Sequence, residues 1–269
     1  MVVIREVRCR SVLNRTNVSG GDYCINPYIG CLHGCVYCYA RFMKWHSRHK
    51  EGWGEFVDVK VNAPQALSRQ LVRAKRGLVL VSTVTDPYQP IEREYEITRR
   101  LLERLLRHRF PISVLTKSSM VVRDMDMLRE FGECDVGLTI TTLDDEVRRV
   151  FEPKSPSVEE RLAALETLHE GGIRTYAFLG PILPFLTEET LDELLQRLGA
   201  IGVERVLVDR LNIKWGNWPP IREALKRHYP ELLPRYVEAL FSGDEYFERA
   251  RGRVTKACRK AGVDFGFCY

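Results

Sequence analysis

The sequence lacks an uninterrupted apolar run of about 18 residues, the length that a membrane-spanning helix needs. Its first ten residues, MVVIREVRCR, carry charges where a secretory leader has an apolar core. It also contains no internal repeat and no low-complexity tract. These absences predict a cytoplasmic protein without a membrane partner.

Neither sign of charge dominates. The chain has 41 Lys and Arg against 36 Asp and Glu, a net charge of +5. This excess is compatible with a nucleic-acid partner and equally with an ordinary solvated surface. With 269 residues, 45% of them hydrophobic, the chain can form one large α/β domain or two small ones with a proper core.

Short apolar runs alternate with amphipathic stretches along the chain. Strands are predicted at residues 22–28, 78–83, 112–116, 136–141, 175–179 and 205–209. Helices are predicted at residues 36–46, 63–76, 92–107, 123–131, 158–170, 188–198, 232–240 and 245–261. Strand–helix alternation implies parallel strands joined by right-handed crossovers. The sequence therefore predicts an α/β fold, a partial (β/α)6 TIM-like barrel over residues 1–211 including the N-terminal segment. Residues 212–269 are predicted to form a helical extension packed on the barrel.

Polar residues follow several of the predicted strands. In barrels of this type the active site lies at the carboxyl ends of the strands. The residues found there are Thr85, Asp86, Lys117, Thr141, Thr142 and Asp209. Their positions predict a polar site at one end of the barrel.

Three of the eight cysteines, Cys31, Cys35 and Cys38, lie close together with the spacing C-x3-C-x2-C. In a cytosolic protein such a group points to metal or catalysis rather than to disulfides. A cubane iron–sulfur cluster normally takes four thiolates, so three ligands leave one iron open to a non-protein ligand. Gly30 and Gly34 give the backbone freedom for a tight wrap. The loop is predicted to follow the first strand and to open a helix, whose N–H groups would face the anionic cluster.

Two other metal sites are compatible with the same loop. A structural zinc site would need His33 or His46, or a further thiolate such as Cys24, to complete it. A plain electron-transfer cluster would need a remote fourth cysteine. Placement on the first βα loop of a barrel favours neither of them.

The run N-P-Y-I-G-C-L-H-G-C-V-Y-C-Y-A-R, residues 26–41, resembles the radical S-adenosylmethionine (SAM) superfamily. The motif of that family is C-x3-C-x-φ-C with φ aromatic, and Tyr37 is the aromatic residue here. The run is similar to the spore photoproduct lyase-like branch, often labelled DNA repair photolyase. The resemblance covers roughly residues 20–210.

The resemblance implies two cofactors, a 4Fe–4S cluster on Cys31, Cys35 and Cys38, and SAM bound at the open iron. An external one-electron reductant of the flavodoxin or ferredoxin type supplies an electron, and SAM is cleaved to a 5′-deoxyadenosyl radical that abstracts hydrogen from substrate. The implied cofactor-binding residues are Ser82, Thr85, Asp86, Lys117, Thr139, Thr141 and Asp209, and the implied radical-relay residues are Tyr37 and Tyr39.

Each of these assignments has a structural alternative. Asp86 precedes Pro87 and fits a turn, and Lys117 fits a solvated loop. Thr139 and Thr141 fit ordinary strand positions, and the tyrosines fit packing against the cluster. Glu152 and Arg161 fit contact with cofactor or substrate, and equally a helix entry.

The lyase-like branch implies DNA or RNA as the substrate. Where the lyase has a hydrogen-donor cysteine, this sequence has Thr83. A hydroxyl is a poorer hydrogen-atom donor than a thiol because its O–H bond is stronger, so the same cysteine route is not expected. A small molecule or protein substrate, or a non-enzymatic metal-binding module, is the alternative.

Overall fold

The computed structural model describes residues 2–214 and 216–269, apart from the side chain of His46. Two β-sheets organise it, one of eight strands and one of three. The strands are β1 Val3–Val7, β2 Leu13–Arg15, β3 Tyr23–Ile25, β4 Tyr28–Ile29, β5 Phe56–Lys60, β6 Val79–Val81, β7 Ile112–Thr116, β8 Cys134–Thr139, β9 Arg174–Ile182, β10 Arg205–Arg210 and β11 Asp264–Phe267.

The large sheet has the order β11-β10-β9-β8-β7-β6-β3-β2. Its strands from β3 to β11 pair in parallel, and β2 pairs antiparallel with β3. Among the described residues, β2 and β11 are edges that do not pair with each other, so the sheet is open. This parallel sheet confirms the predicted partial barrel.

The helices are α1 Met43–Ser47, α2 Ala63–Leu71, α3 Glu92–Tyr95, α4 Ile97–Arg107, α5 Met125–Leu128, α6 Asp145–Phe151, α7 Val158–Glu170, α8 Leu191–Ile201, α9 Trp218–His228, α10 Leu233–Phe241 and α11 Glu245–Ala261. Short 3-10 turns lie at Tyr39–Phe42, Ser119–Asp124, Thr187–Glu189 and Pro230–Leu232. The bounds of α7 and α11 are the predicted ones, and in α7 Ser157 and Glu160 form a capping box that fixes its start.

The helix predicted over residues 92–107 is two helices. Glu96 adopts a left-handed conformation with φ 49° between α3 and α4. The buried carboxylate of Glu92 accepts hydrogen bonds from the backbone N–H groups of Thr98 at 2.9 Å and Arg99 at 3.2 Å. These bonds satisfy backbone N–H groups in the first turn of α4, which have no partner within the helix. A second helix can therefore begin at Ile97 although the helical sequence pattern runs on without a break.

The segment around the three cysteines also differs from its prediction. The strand expected over residues 22–28 ends at Ile25, and Tyr28–Ile29 joins β5 in the small sheet. The helix expected over residues 36–46 begins only after Cys38, with a 3-10 turn before α1. Pro27 and the positive φ of Gly30 and Gly34 interrupt regular structure here.

The small sheet has the order β1-β5-β4, with β1 parallel and β4 antiparallel to β5. It places β5 directly beneath the loop that carries Cys31. At the other end of the chain, α9, α10 and α11 lead into β11, which extends the large sheet beside β10. The predicted boundary between the barrel, residues 1–211, and the helical extension, residues 212–269, stays a prediction.

None of the helices in the described part of the chain has both the length and the apolar character needed to cross a bilayer. The cytoplasmic location stays a prediction.

Candidate active site

The cysteine loop runs from the end of β4 to the 3-10 turn at Tyr39. Cys31 and Cys35 are buried and Cys38 is half-buried, and all three thiols are free. Burial raises the pKa of the Cys35 thiol to about 12, although the nearby Lys117 opposes the shift. Cysteine binds a metal as the thiolate, so a metal bound by this thiol would displace its proton.

Two side chains from the segment after β6 hold this loop. Thr85 Oγ1 donates to the carbonyl oxygen of Gly30 at 2.6 Å. Gln89 accepts from the backbone N–H of Leu32 at 2.8 Å and donates to Thr85 Oγ1 at 3.0 Å. Because Gln89 is fully buried, these bonds fix the loop to the barrel. Thr85, predicted to touch the cofactor, here supports the loop that carries Cys31.

Glycine is required at two points of the loop. Gly30 has φ +87°, and a Cβ added there would lie 2.5 Å from the carbonyl oxygen of Phe56. Gly34 has φ +64°, and its Cβ would lie 3.2 Å from the Cα of Gly54. The positive φ makes any side chain strained at both positions, and at Gly30 the backbone oxygen of Phe56 also leaves no room for one.

His33 lies inside the loop and is buried. Its Nε2 is 3.4 Å from Asp86 Oδ2, and its Nδ1 is 3.3 Å from the carbonyl oxygen of Lys154. Since both ring nitrogens face protein groups, His33 is not oriented as a fourth metal ligand. The side chain of His46, the other histidine considered for zinc, lies outside the described residues.

Asp86 is buried at the carboxyl end of β6, as its position predicts. Its carboxylate accepts from Tyr88 N at 2.9 Å, Thr116 Oγ1 at 2.6 Å and Lys117 N at 2.8 Å. Burial opposes ionisation, but His33 and these donors lower the pKa of Asp86 to about 2. The carboxylate therefore ties β6 to β7 beside the cysteine loop.

Tyr37 and Lys117 meet at a buried carboxylate. The Tyr37 hydroxyl donates to Glu152 Oε1, and Lys117 Nζ lies 3.9 Å from the same oxygen. Lys117 Nζ also lies 5.6 Å from the centre of the Tyr37 ring. The other oxygen of Glu152 pairs with Arg161 at 2.5 Å. Lys117 is thus not a solvated loop lysine, since its side chain is 15% exposed and lies over the residue before Cys38.

The strand register places other predicted residues on one face of the sheet. Thr116 pairs with Leu138, so Lys117 and Thr139 are neighbours at the next position. Thr139 pairs with Phe178, which pairs with Leu207. Side chains alternate along a strand, so the predicted residues that share the Lys117 face are Thr139, Thr141 and Asp209.

Ser82, directly after β6, and Asp209, in β10, have unusual surroundings. Ser82 has φ 72°, and its buried hydroxyl oxygen has no hydrogen-bond partner within the described residues. Burial raises the pKa of Asp209. Thr139 and Thr141 are buried, and the backbone oxygen of Thr139 accepts from Arg161 at 3.0 Å.

Tyr39 follows Cys38 in the sequence and, unlike the buried Tyr37, is partly exposed to solvent. Its hydroxyl donates to the backbone oxygen of Thr83, and the residue is 46% exposed. Burial of the phenol, with the charges of Cys38, Asp209 and Cys24 nearby, raises the pKa of Tyr39 to about 12. This bond places the backbone of Thr83 beside the residue that follows Cys38.

Sequence reasoning missed three residues that shape this site. Gln89 clamps the loop, and Asn26 binds the backbone after β6. Asn217, at the start of α9, donates to the carbonyl oxygen of Tyr37 at 3.0 Å. Only Asn26 carried a signal, because it opens the motif; Asn217 is 180 residues from its partner.

Among the described residues, no group of three His, Cys, Asp or Glu side chains is arranged for a single metal ion. The assignment of Cys31, Cys35 and Cys38 to a cluster therefore rests on their spacing, their burial and the loop that holds them. The donor set fits an iron–sulfur cluster, whose ligands are cysteine thiolates.

The chain is similar to known proteins in sequence and in fold. A protein of Methanocaldococcus jannaschii, itself uncharacterized, is 42% identical over 188 residues, 70% of each chain. A radical SAM Nα-GlyT isomerase of Pseudomonas phage M6 is 25% identical over 90% of this chain and 52% of its own. The structure of spore photoproduct lyase complexed with dinucleoside spore photoproduct superposes with a TM-score of 0.70 and 18% identity, over 99% of this chain and 82% of that one.

The sequence model of the Radical SAM superfamily matches residues 25–198, more than half of the chain, and includes the cysteine loop and the strands from β4 to β9. That superfamily uses SAM and an iron–sulfur cluster. The chain belongs to the radical SAM superfamily of enzymes.

Proposed function

We propose that this enzyme holds a 4Fe–4S cluster on Cys31, Cys35 and Cys38, cleaves SAM there, and abstracts hydrogen from a nucleic acid to repair or modify it. One observation carries the proposal: three free cysteines, two of them buried, lie in a loop that Thr85 and Gln89 clamp to the carboxyl end of β6. When bound, the cluster and SAM supply a 5′-deoxyadenosyl radical; an external flavodoxin- or ferredoxin-type protein supplies the electron.

The residues of the chain orient the cofactor. Lys117, whose ammonium lies 3.9 Å from Glu152, pairs with the carboxylate of the methionine portion. Ser82 offers a buried hydroxyl without a partner among the described residues, and it hydrogen-bonds the amino group or ribose. Thr139, Thr141 and Asp209 lie on the same face as Lys117.

Thr85 and Asp86 act on the loop. Thr85 Oγ1 binds Gly30 and the Asp86 carboxylate binds backbone and side-chain donors of β6 and β7. These bonds keep Cys31 and its neighbours in place when the radical forms, and rigid supports of this kind exclude side reactions.

The tyrosines differ in the role that their contacts support. Tyr39 is half-exposed at Thr83, where a radical could be returned through its hydroxyl. The Tyr37 hydroxyl is engaged by the buried Glu152, which supports packing against the cluster loop. We assign the relay to Tyr39.

A nucleic-acid substrate is supported by the likeness in fold to a lyase solved with a dinucleoside photoproduct, and the net charge of +5 is compatible with it. Thr83 argues against the lyase ending, because its hydroxyl is a poor hydrogen-atom donor. We therefore expect no repair of a dinucleoside spore photoproduct, although SAM is cleaved.

Anaerobic reconstitution with iron and sulfide tests the first step. The reduced protein is expected to form 5′-deoxyadenosine from SAM, and Cys31→Ala, Cys35→Ala and Cys38→Ala variants are expected to lose the cluster absorbance. Cys134→Ala and Cys258→Ala, at buried thiols elsewhere, are matched controls that should keep it. If Cys31→Ala keeps the metal spectrum and no 5′-deoxyadenosine appears, the assignment is wrong.

Salt-dependent binding tests the substrate class. Affinity for DNA or RNA is expected to fall steeply with salt concentration, because binding releases counterions from phosphates. Affinity that does not change with salt would contradict a backbone-contacting mode and favour a small molecule or a protein as the substrate.

A further inference from the structure

Glu152 is a fully buried carboxylate at the carboxyl end of α6. Its backbone is part of the wall that supports the cysteine loop, since the carbonyl oxygen of the preceding Phe151 accepts from Val36 N at 2.8 Å. Glu152 therefore directly follows a residue that is bonded to the segment between Cys35 and Cys38.

Arg161 fixes one side of this carboxylate. The guanidinium is 1% exposed and donates to the backbone oxygens of Thr139 at 3.0 Å and of Pro156 at 2.9 Å. It lies 2.5 Å from Glu152 Oε2. Because α7 and β8 hold the guanidinium rigidly, they also set the orientation of the carboxylate.

The other oxygen of Glu152 faces the cysteine loop. Oε1 accepts from the Tyr37 hydroxyl and lies 3.9 Å from Lys117 Nζ. At that distance the ammonium is attracted but is not hydrogen-bonded, so this pair leaves its N–H donors available to a third group. The side chain of a lysine is long and flexible, and a fixed counter-charge restricts where its ammonium lies.

Stability alone is a weak explanation for this buried pair. An apolar pair of similar volume in place of Glu152 and Arg161 would often be as stable or more stable, because two buried charges lose their hydration. A better explanation comes from Glu152 Oε1, the oxygen that does not face Arg161, because both the Tyr37 hydroxyl and the Lys117 ammonium lie near it.

We propose that Glu152 is a positioning residue that, anchored by Arg161, holds the Lys117 ammonium and the Tyr37 ring against the cysteine loop so that Lys117 receives the carboxylate of SAM. The proposal rests on the role given to Lys117 above. Glu152 does not touch SAM itself and acts through Lys117.

A double-mutant cycle on SAM affinity tests this. Equilibrium dialysis measures SAM binding to cluster-loaded protein, without turnover, for the wild type, Glu152→Gln, Lys117→Met and the double variant. Lys117→Met and Glu152→Gln are each expected to weaken SAM binding about tenfold. In the Lys117→Met background, Glu152→Gln is expected to add less than about twofold, because the group it positions is gone.

Glu152→Gln leaves the buried guanidinium of Arg161 unpaired, so the same cycle is also run with Glu152→Gln/Arg161→Gln, in which both charges are removed. Glu159→Gln is the matched control. Glu159 also pairs with an arginine on a neighbouring helix, Arg197 at 2.6 Å, but at the surface and away from the loop, and SAM affinity should stay unchanged.

The outcomes separate the two proposals. If Lys117→Met weakens binding but Glu152→Gln costs the same factor with and without Lys117, Glu152 acts independently and the positioning role is wrong. If Lys117→Met leaves SAM affinity unchanged, the role of Lys117 in the proposed function is wrong, and the role of Glu152 fails with it. If the wild type binds SAM but forms no 5′-deoxyadenosine, the proposed SAM cleavage is wrong, whereas the binding cycle still tests the role of Glu152.

Discussion

Asn26 holds the loop that carries Thr83. Asn26 Oδ1 accepts from the backbone N–H groups of Thr83 at 2.9 Å and Val84 at 3.1 Å, and Nδ2 lies 3.3 Å from Thr83 Oγ1. Asn26 opens the N-P-Y run that precedes the cysteines, so one side chain links the end of β3 to the loop after β6. That loop carries Thr85 and Asp86, which in turn hold the cysteine loop and β7.

Replacement of Asn26 by Leu is expected to lower the free energy of unfolding by about 1–3 kcal/mol, since the N–H groups of Thr83 and Val84 lose their acceptor in a largely buried place. Denaturant unfolding of the metal-free protein measures this. Asn14→Leu, where Asn14 is exposed and bonds only locally to the Val12 oxygen, is the control and should change little. Equal losses in the two variants would contradict the role given to Asn26.

Gly30→Ala is expected to be strongly destabilising, because an added Cβ would lie 2.5 Å from the Phe56 oxygen. Gly20 is a matched control with a similar φ of +82° and nothing within 4 Å of an added Cβ. Gly20→Ala should cost about 1 kcal/mol, the usual penalty for the left-handed conformation. Thermal unfolding of both variants measures the difference, and iron content measures its effect on the cluster loop. Similar stabilities would show that Phe56 moves aside at little cost.

Tyr37→Phe and Tyr39→Phe are expected to differ. Tyr37→Phe removes a donor from the buried Glu152 and should cost about 1–3 kcal/mol, whereas Tyr39→Phe loses a bond to the Thr83 oxygen at a half-exposed site and should cost about 1 kcal/mol or less. Unfolding of the metal-free proteins checks this order. A larger loss of unfolding free energy in Tyr39→Phe than in Tyr37→Phe would show that the Tyr39 hydroxyl contributes more to stability.

Asp86 predicts a dependence of stability on pH. Its folded pKa is about 2, below the ordinary value of 3.8. A carboxyl with a lowered folded pKa stabilises the protein above its unfolded pKa, and this contribution is lost as the pH falls from about 4 towards 2. Asp86→Asn should therefore be less stable than the wild type near neutrality, and the gap should narrow in that acidic window.

Denaturant unfolding at a series of pH values tests this expectation. Asp264→Asn, at an exposed position in β11, is the control. A gap between the wild type and Asp86→Asn that is constant down to pH 2 would show that the Asp86 charge contributes nothing to stability.

Much of the barrel follows from local sequence patterns. Ile112–Thr116, Val158–Glu170 and Glu245–Ala261 have the predicted bounds, because each carries its period and its end signals within itself. The prediction missed two helices, α6 and α9, and four strands, β1, β2, β5 and β11. Of these strands, β1, β5 and β11 are short and have pairing partners far away in the chain. Such strands are stabilised by their neighbours more than by their own residues.

For the site, the sequence by itself determined the candidate ligands and their spacing: three cysteines at C-x3-C-x2-C, with an aromatic residue before the third. Only the tertiary structure decided how these residues are held. Gln89, Asn217 and the Glu152–Arg161 pair reach the cysteine loop from other elements, and Asp86 and Thr85 bind groups of the protein itself. The physical reason is that a ligand spacing is a property of one short segment. The hydrogen bonds and buried charges that orient it depend on contacts between residues that meet only when the barrel has formed.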